Sequence, residues 1–162
     1  MAKTESFPTQ YLKHKGVFSL KEMIQALQDW YGNNGYDFKA DKYKLKPNEA
    51  EYEMSGERKI NEYVLFKIKL HVWVNEMSDV EIVQDGEKKL MNNGNVRVEL
   101  DAEYTLDYEN RFRGNKFLQW LQDIYHDYII FQTIDQVWED ELFSKSAQLM
   151  GLVKEQLGVE AG

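Results

Sequence analysis

Cysteine is absent from this chain, which excludes a thiol nucleophile, a disulfide framework and iron–sulfur ligation. No run approaches the roughly 18 apolar residues of a membrane-spanning helix. The longest are short, such as YVLF at 63–66 and YIIF at 128–131. The opening residues MAKTESFPTQ hold no hydrophobic core of the kind a secretory signal needs. A soluble, cytoplasmic protein is expected. The three histidines, His14, His71 and His126, form no HExxH or HxxxH spacing. GxSxG, GxGxxG and the GxxxxGKS or GxxxxGKT phosphate loop are missing as well. The sequence is therefore read as non-enzymatic, with no catalytic, metal-ligating or cofactor-binding residue assigned and no cofactor expected.

What the chain has is charge, aromatics and a clear period. Its 162 residues carry 20 basic and 28 acidic side chains, a net charge of −8. The first 81 residues hold 12 basic and 13 acidic groups; the last 81 hold 8 and 15. An acidic C-terminal half repels phosphate backbones, so nucleic acid is not an expected partner. Aromatics make up 14% of the residues, and each can bury on the order of 150–250 Å². A chain of this length suits one domain, which buries about 70% of its unfolded surface and needs no staple.

Residues 1–16 are polar and irregular, with a basic cluster YLKHK at 11–15, and are read as a flexible N-terminal arm. A single α+β domain is expected over 17–162. Ser19 and Glu22 form a capping box, and Phe18 with Met23 a hydrophobic staple. Leu20, Met23, Ile24, Leu27, Trp30 and Tyr31 continue at helical spacing until GNNG at 32–35, whose residues accept a left-handed helix end. From Tyr36 the period becomes two. Strands are predicted over 36–46, 50–57, 60–75, 78–84, 87–91 and 95–109. Asp85-Gly86 and Asn92-Asn93-Gly94 are read as tight turns, which demand antiparallel neighbours. Two C-terminal helices are predicted, one over 117–131 and one from the Thr133–Gln136 capping box to about Leu157. The expected architecture is an N-terminal helix, a curved antiparallel meander of five or six strands, and two C-terminal helices on its apolar face.

The stretch RVELDAEYTLDYENRF at 97–112 alternates Glu99, Asp101, Glu103, Asp107 and Glu109 with apolar residues. Alternate residues of a strand share a face, so this acidic row points away from Leu100 and Leu106. A straight strand spaces such carboxylates roughly 7 Å apart, too far to close on a calcium ion at about 2.3–2.6 Å. Pairing with Lys67 and Lys69 across the sheet is the expected role. Tyr63, Leu65, Lys67, Lys69, His71 and Trp73 share one outward parity. Two aromatics and a leucine there mark either a face covered by a helix or an interaction patch.

A second candidate surface is a cavity between sheet and C-terminal helices, lined by Phe66, Leu100, Tyr104, Trp120, Tyr128 and Trp138. A membrane-surface helix is not expected, because Asp123, Asp127, Asp135, Glu139, Asp140 and Glu141 occupy the face where such helices carry basic residues. In element order, a meander closed by a long helix resembles helix-grip proteins, which carry lipids. It departs from them in that a single helix precedes all the strands. Two functions remain open. One is a protein-interaction or assembly domain, binding a protein partner or a second copy. The other is a carrier or sensor of a small hydrophobic molecule.

Overall fold

A computed structural model describes residues 3–60, 64–106, 120 and 139–158. Its elements are β1 (Lys3–Ser6), β2 (Gln10–Phe18), α1 (Leu20–Asn33), β3 (Asp37–Lys46), β4 (Glu49–Lys59), β5 (Val64–Gln84), β6 (Glu87–Leu106) and α2 (Glu139–Leu157). All six strands join one antiparallel sheet in the order β1-β6-β5-β4-β3, with β2 also on β6. The α+β class and the antiparallel sheet agree with the period-two pattern.

Parity organises the sheet. Along β5, Val64, Phe66, Ile68, Leu70, Val72 and Val74 are each 0–1% exposed, while every odd residue between them is half-buried. On β6 the buried partners are Val96, Val98, Leu100, Ala102, Tyr104 and Leu106. Both helices pack on this inner face. Met23, Leu27 and Tyr31 of α1 join its core, as do Leu142, Leu149 and Val153 of α2. The Lys145 ammonium of α2 donates at 2.9 Å to the side chain of Asn34, the residue that caps the end of α1.

The start and end of α1 follow their sequence signals. The Glu22 amide donates to the Ser19 hydroxyl at 3.3 Å, and Phe18 and Met23 are both buried. Gly35 takes the left-handed conformation (φ 80°), and the Tyr36 amide donates to the Tyr31 carbonyl at 2.9 Å, closing the helix in the manner of a left-handed cap. One strut fixes where α1 lies. The Tyr31 ring rests on Gly56 of β4, and its hydroxyl donates to the Ile68 carbonyl of β5 at 3.0 Å. Burial raises that hydroxyl's pKa above the ordinary tyrosine range. Neighbouring Tyr36 is pushed up to about 12 by burial, with Arg58 opposing.

Three expectations are corrected. The N-terminal residues are not an irregular arm: Lys3–Ser6 and Gln10–Phe18 are strands bonded to β6, with Gln10 opposite Leu100 and Phe18 opposite Asn92. Two strands, not a single helix, therefore open the chain. The strands predicted over 60–75 and 78–84 are, across the described Val64–Gln84, one strand interrupted by a bulge between Asn75 and Ser78. Asn92-Asn93-Gly94 is not a turn but the interior of β6. The bulge explains the glycine: a Cβ on Gly94 would stand 3.1 Å from the Asn75 carbonyl and 3.3 Å from Met77 Cα. It also brings the Met77 amide to the Asn48 carbonyl at 2.8 Å. Asn92 instead accepts from the Leu20 amide at 2.9 Å, satisfying an open donor at the start of α1. One C-terminal helix, α2, stands among the described residues. The predicted helix at 117–131 lies outside them apart from Trp120, as does the Thr133–Gln136 box.

The strut sets a stability test. A Cβ at Gly56 would lie 2.3 Å from the Tyr31 ring, so Gly56→Ala is expected to cost about 1–3 kcal/mol through overpacking. At Gly32, within α1, an added Cβ meets nothing within 4 Å, and Gly32→Ala is expected to stabilise by roughly 0.5–1 kcal/mol. Urea denaturation of the two variants checks both signs.

Candidate functional site

The outer face of the sheet is striped by charge. Strand-pair partners share a face, and here their signs oppose. Lys42, Lys44 and Lys46 of β3 stand opposite Glu53, Glu51 and Glu49 of β4. Glu57 and Glu53 stand opposite Lys67 and His71 of β5. Lys67, Lys69 and His71 in turn face Glu103, Asp101 and Glu99 of β6. The acidic row of β6 is thus one stripe of an alternating set. Its register partners Lys67 and Lys69 are those its parity demanded. Lys69, however, reaches diagonally to β4, where it meets Glu53 at 3.7 Å. Asp101 accepts from the Thr9 hydroxyl. Among the described residues no group of acidic and histidine side chains could hold a metal ion. Asp107 and Glu109 lie outside the described residues.

Trp73 interrupts the stripes and is held on both sides. His71 stacks on it with ring centroids 3.4 Å apart, and the Arg97 guanidinium sits 5.2 Å from its centroid, a favourable place for a cation. Arg97 is tied to Glu99 at 2.6 Å. The His71 ring lies between two carboxylates, Nε2 at 2.8 Å from Glu51 and Nδ1 at 3.3 Å from Glu53. Lys42 closes the chain on Glu51 at 3.2 Å. Of the predicted patch, Leu65, Lys67, Lys69, His71 and Trp73 do share this face and are half-buried. Tyr63 lies outside the described residues. Neither described helix packs on this face.

The inner face has an opening. The N-terminal half of α1 stands away from the end of β3, leaving a solvent-open groove of about 850 Å³. Leu20 and Ile24 form its helical wall, Tyr43 and Leu45 its β3 wall, and Tyr52 and Met54 its floor. Tyr43 and Leu45 are 58% and 56% exposed, high values for large apolar side chains on a sheet's inner face. The Tyr43 and Tyr52 rings meet edge-on with centroids 4.6 Å apart. Burial, then the hydrogen bond that its hydroxyl shares with Tyr43, raises the Tyr52 pKa above the ordinary range. Lys21, Lys42 and Lys46 stand on the rim with Glu53 and Asp79.

The predicted cavity residues lie elsewhere. Phe66, Leu100 and Tyr104 are packed in the core at 0–4% exposure and do not line the groove, Trp120 is exposed, and Tyr128 and Trp138 lie outside the described residues. Sequence reading missed Tyr43, Leu45 and Ile24 as groove residues. A signal was present in KYKLK at 42–46, a strand whose apolar positions alternate with lysines.

The outer network carries a pH signature. The hydrogen bond from His71, then that from Lys42, lowers the Glu51 pKa below its ordinary 4.5. Its folded value is thus depressed, so the stabilisation is complete above the unfolded value and disappears as pH falls through the folded one. His71→Phe keeps a ring against Trp73 and removes the bond. The wild type is expected to lose melting temperature more steeply than His71→Phe on acidification below pH 4.5, measured by thermal unfolding across that range. No protein-family model matches this chain, and no curated protein is significantly similar to it in sequence.

Proposed function

We propose that the protein is a non-catalytic protein-interaction domain and that the groove between α1 and the β3–β4 end of the sheet receives its partner. The observation that carries this reading is the exposure of Tyr43 and Leu45 on an inner sheet face. Exposed apolar side chains gathered in a concave site, bordered by polar groups, are how recognition surfaces differ from ordinary surface. The middle of the inner face supports the same reading by contrast: over Val64–Val74 of β5 and Val96–Leu106 of β6 its apolar side chains are packed to 0–4% exposure and serve the fold. No catalytic step is assigned to the groove.

A second reading rests on the groove's size. About 850 Å³ falls within the roughly 300–1,000 Å³ of small-molecule sites, so a hydrophobic small molecule is the alternative occupant. Its place would be between the sheet and α1, not under the C-terminal helices.

The two readings part experimentally. Peptides selected by display on the full chain are expected to lose affinity at least tenfold for Tyr43→Ala, as an aromatic anchor would, and to retain it for Trp73→Ala on the outer face. Selected peptides that respond to Trp73→Ala and ignore Tyr43→Ala would place recognition on the striped face. Native mass spectrometry of the protein from its own host reports the alternative, as a retained small molecule lost on Ile24→Asp.

A further inference from the structure

The groove is bordered by β3, and among the described residues no strand pairs with the outer edge of β3. The edge is open to solvent, with Tyr43, Lys44, Leu45 and Lys46 all exposed. Every neighbour of a strand meets the same alternating side chains, lysines on the outer face of β3 and apolar residues on the inner. On its inward edge β3 already has a neighbour that answers this pattern. Glu49-Ala50-Glu51-Tyr52-Glu53 of β4 sets glutamates against Lys46, Lys44 and Lys42, and Ala50 and Tyr52 against Leu45 and Tyr43.

We infer that the partner is an extended acidic segment of another protein, with carboxylates alternating with apolar residues, which adds to β3 as a seventh strand. This inference rests on the groove being the recognition site. Strand addition supplies main-chain hydrogen bonds, and alternate side chains supply specificity. The acidic side chains would continue the outer stripes beyond Lys42, Lys44 and Lys46. The apolar ones would cover Tyr43 and Leu45 and enter the groove toward Ile24. The bulge between Ala40 and Lys42 limits regular pairing to the second half of β3, the half that borders the groove.

The lysine-bearing edges of a second copy do not fit this edge. On the sheet's other flank β2 carries Lys13 and Lys15 on the outer face, and the four-residue β1 holds one carboxylate, Glu5, so β3 against β3 or against β2 would set lysine against lysine. β4 is paired on both edges, whereas Asp79 and Glu81 of β5, which alternate with Val80 and Ile82, lie beyond the reach of β4. Lysines and a bulge are also how proteins block edge strands against unwanted pairing. A blocked edge has no use for apolar side chains beside it, and here Tyr43 and Leu45 are exposed between the lysines.

The test titrates the isotope-labelled full chain with three synthetic peptides while following backbone amide shifts. One has the β4 pattern EAEYEM; the others replace its glutamates with glutamine or with lysine. The acidic peptide is expected to move amides of Lys42–Lys46 and of the first half of α1. Three opposed pairs should let it bind about tenfold tighter than the glutamine peptide at low salt, with the gap closing as salt rises. Lys44→Glu should cut the acidic peptide's advantage over the glutamine peptide to a net of one pair, about twofold, and Lys44→Gln, the milder change, to about fivefold. Equal binding of the acidic and glutamine peptides at β3 would overturn the charge alternation and leave the groove reading standing. Absence of shifts at β3 with all three would overturn strand addition. Shifts of the β3 amides on self-dilution without peptide would put a second copy in place of the foreign segment and overturn the proposal. The groove reading itself is decided separately by the Tyr43→Ala response of display-selected peptides.

Discussion

The seat of Tyr31 on Gly56 is the constraint from which the rest of the architecture follows. A helix laid on a sheet can slide or rotate unless something pins it. Here a large ring occupies the space left by a missing side chain, and its hydroxyl is bonded to the Ile68 carbonyl beneath. The pin lies in the last turns of α1. At the other end, the Leu20 amide is held by Asn92. Between these two points the helix crosses β4 and β5 and leaves the far half of β3 uncovered. The groove is thus a by-product of where the helix is fastened, and β3 pays no packing role there.

The outer face shows how a sheet can be specified without being buried. Exposed ion pairs contribute about 0–1 kcal/mol each, so the stripes add little to stability one by one. Their weight lies in register. Shifting one strand by a residue would turn its charges to the opposite face and bury them. A slip by two would still match signs along much of a stripe, so the aromatic position must discriminate there. Trp73, between His71 and Arg97, is the one outer position on β5 where stacking and a cation both depend on alignment.

Much of the fold was legible in the residues. Strict alternation from Val64 to Val74 made the buried face of β5 readable, and the same parity placed Glu99, Asp101 and Glu103 outside with lysines opposite. The helix start at Ser19 was equally plain, because a cap and a staple are local. What failed was non-local. Gln10–Phe18 has no apolar face of its own: only Leu12 and Phe18 on the inner side are large and apolar, while Tyr11 and Val17 point out. The strand exists because β6 offers it hydrogen bonds, which no window of nine residues reveals. Asn92-Asn93-Gly94 has the composition of a turn, but its composition serves a helix cap and a bulge on the neighbouring strand. The groove was illegible for another reason. Tyr43 and Leu45 look like any strand's apolar positions, and only the placement of α1 decides whether something lies over them.

The pairing of β2 with β6 has a consequence for biogenesis. Gln10 waits for Leu100, and translation at about 5–20 residues per second takes on the order of ten seconds to cover that interval. The hairpin of β5 and β6 closes on itself as soon as it emerges, whereas β1 and β2, made before β3 to β6, can dock only after β6 is made. Until then the nascent chain carries Leu12 and Phe18 unsheltered, and the growing sheet presents a bare β6 margin.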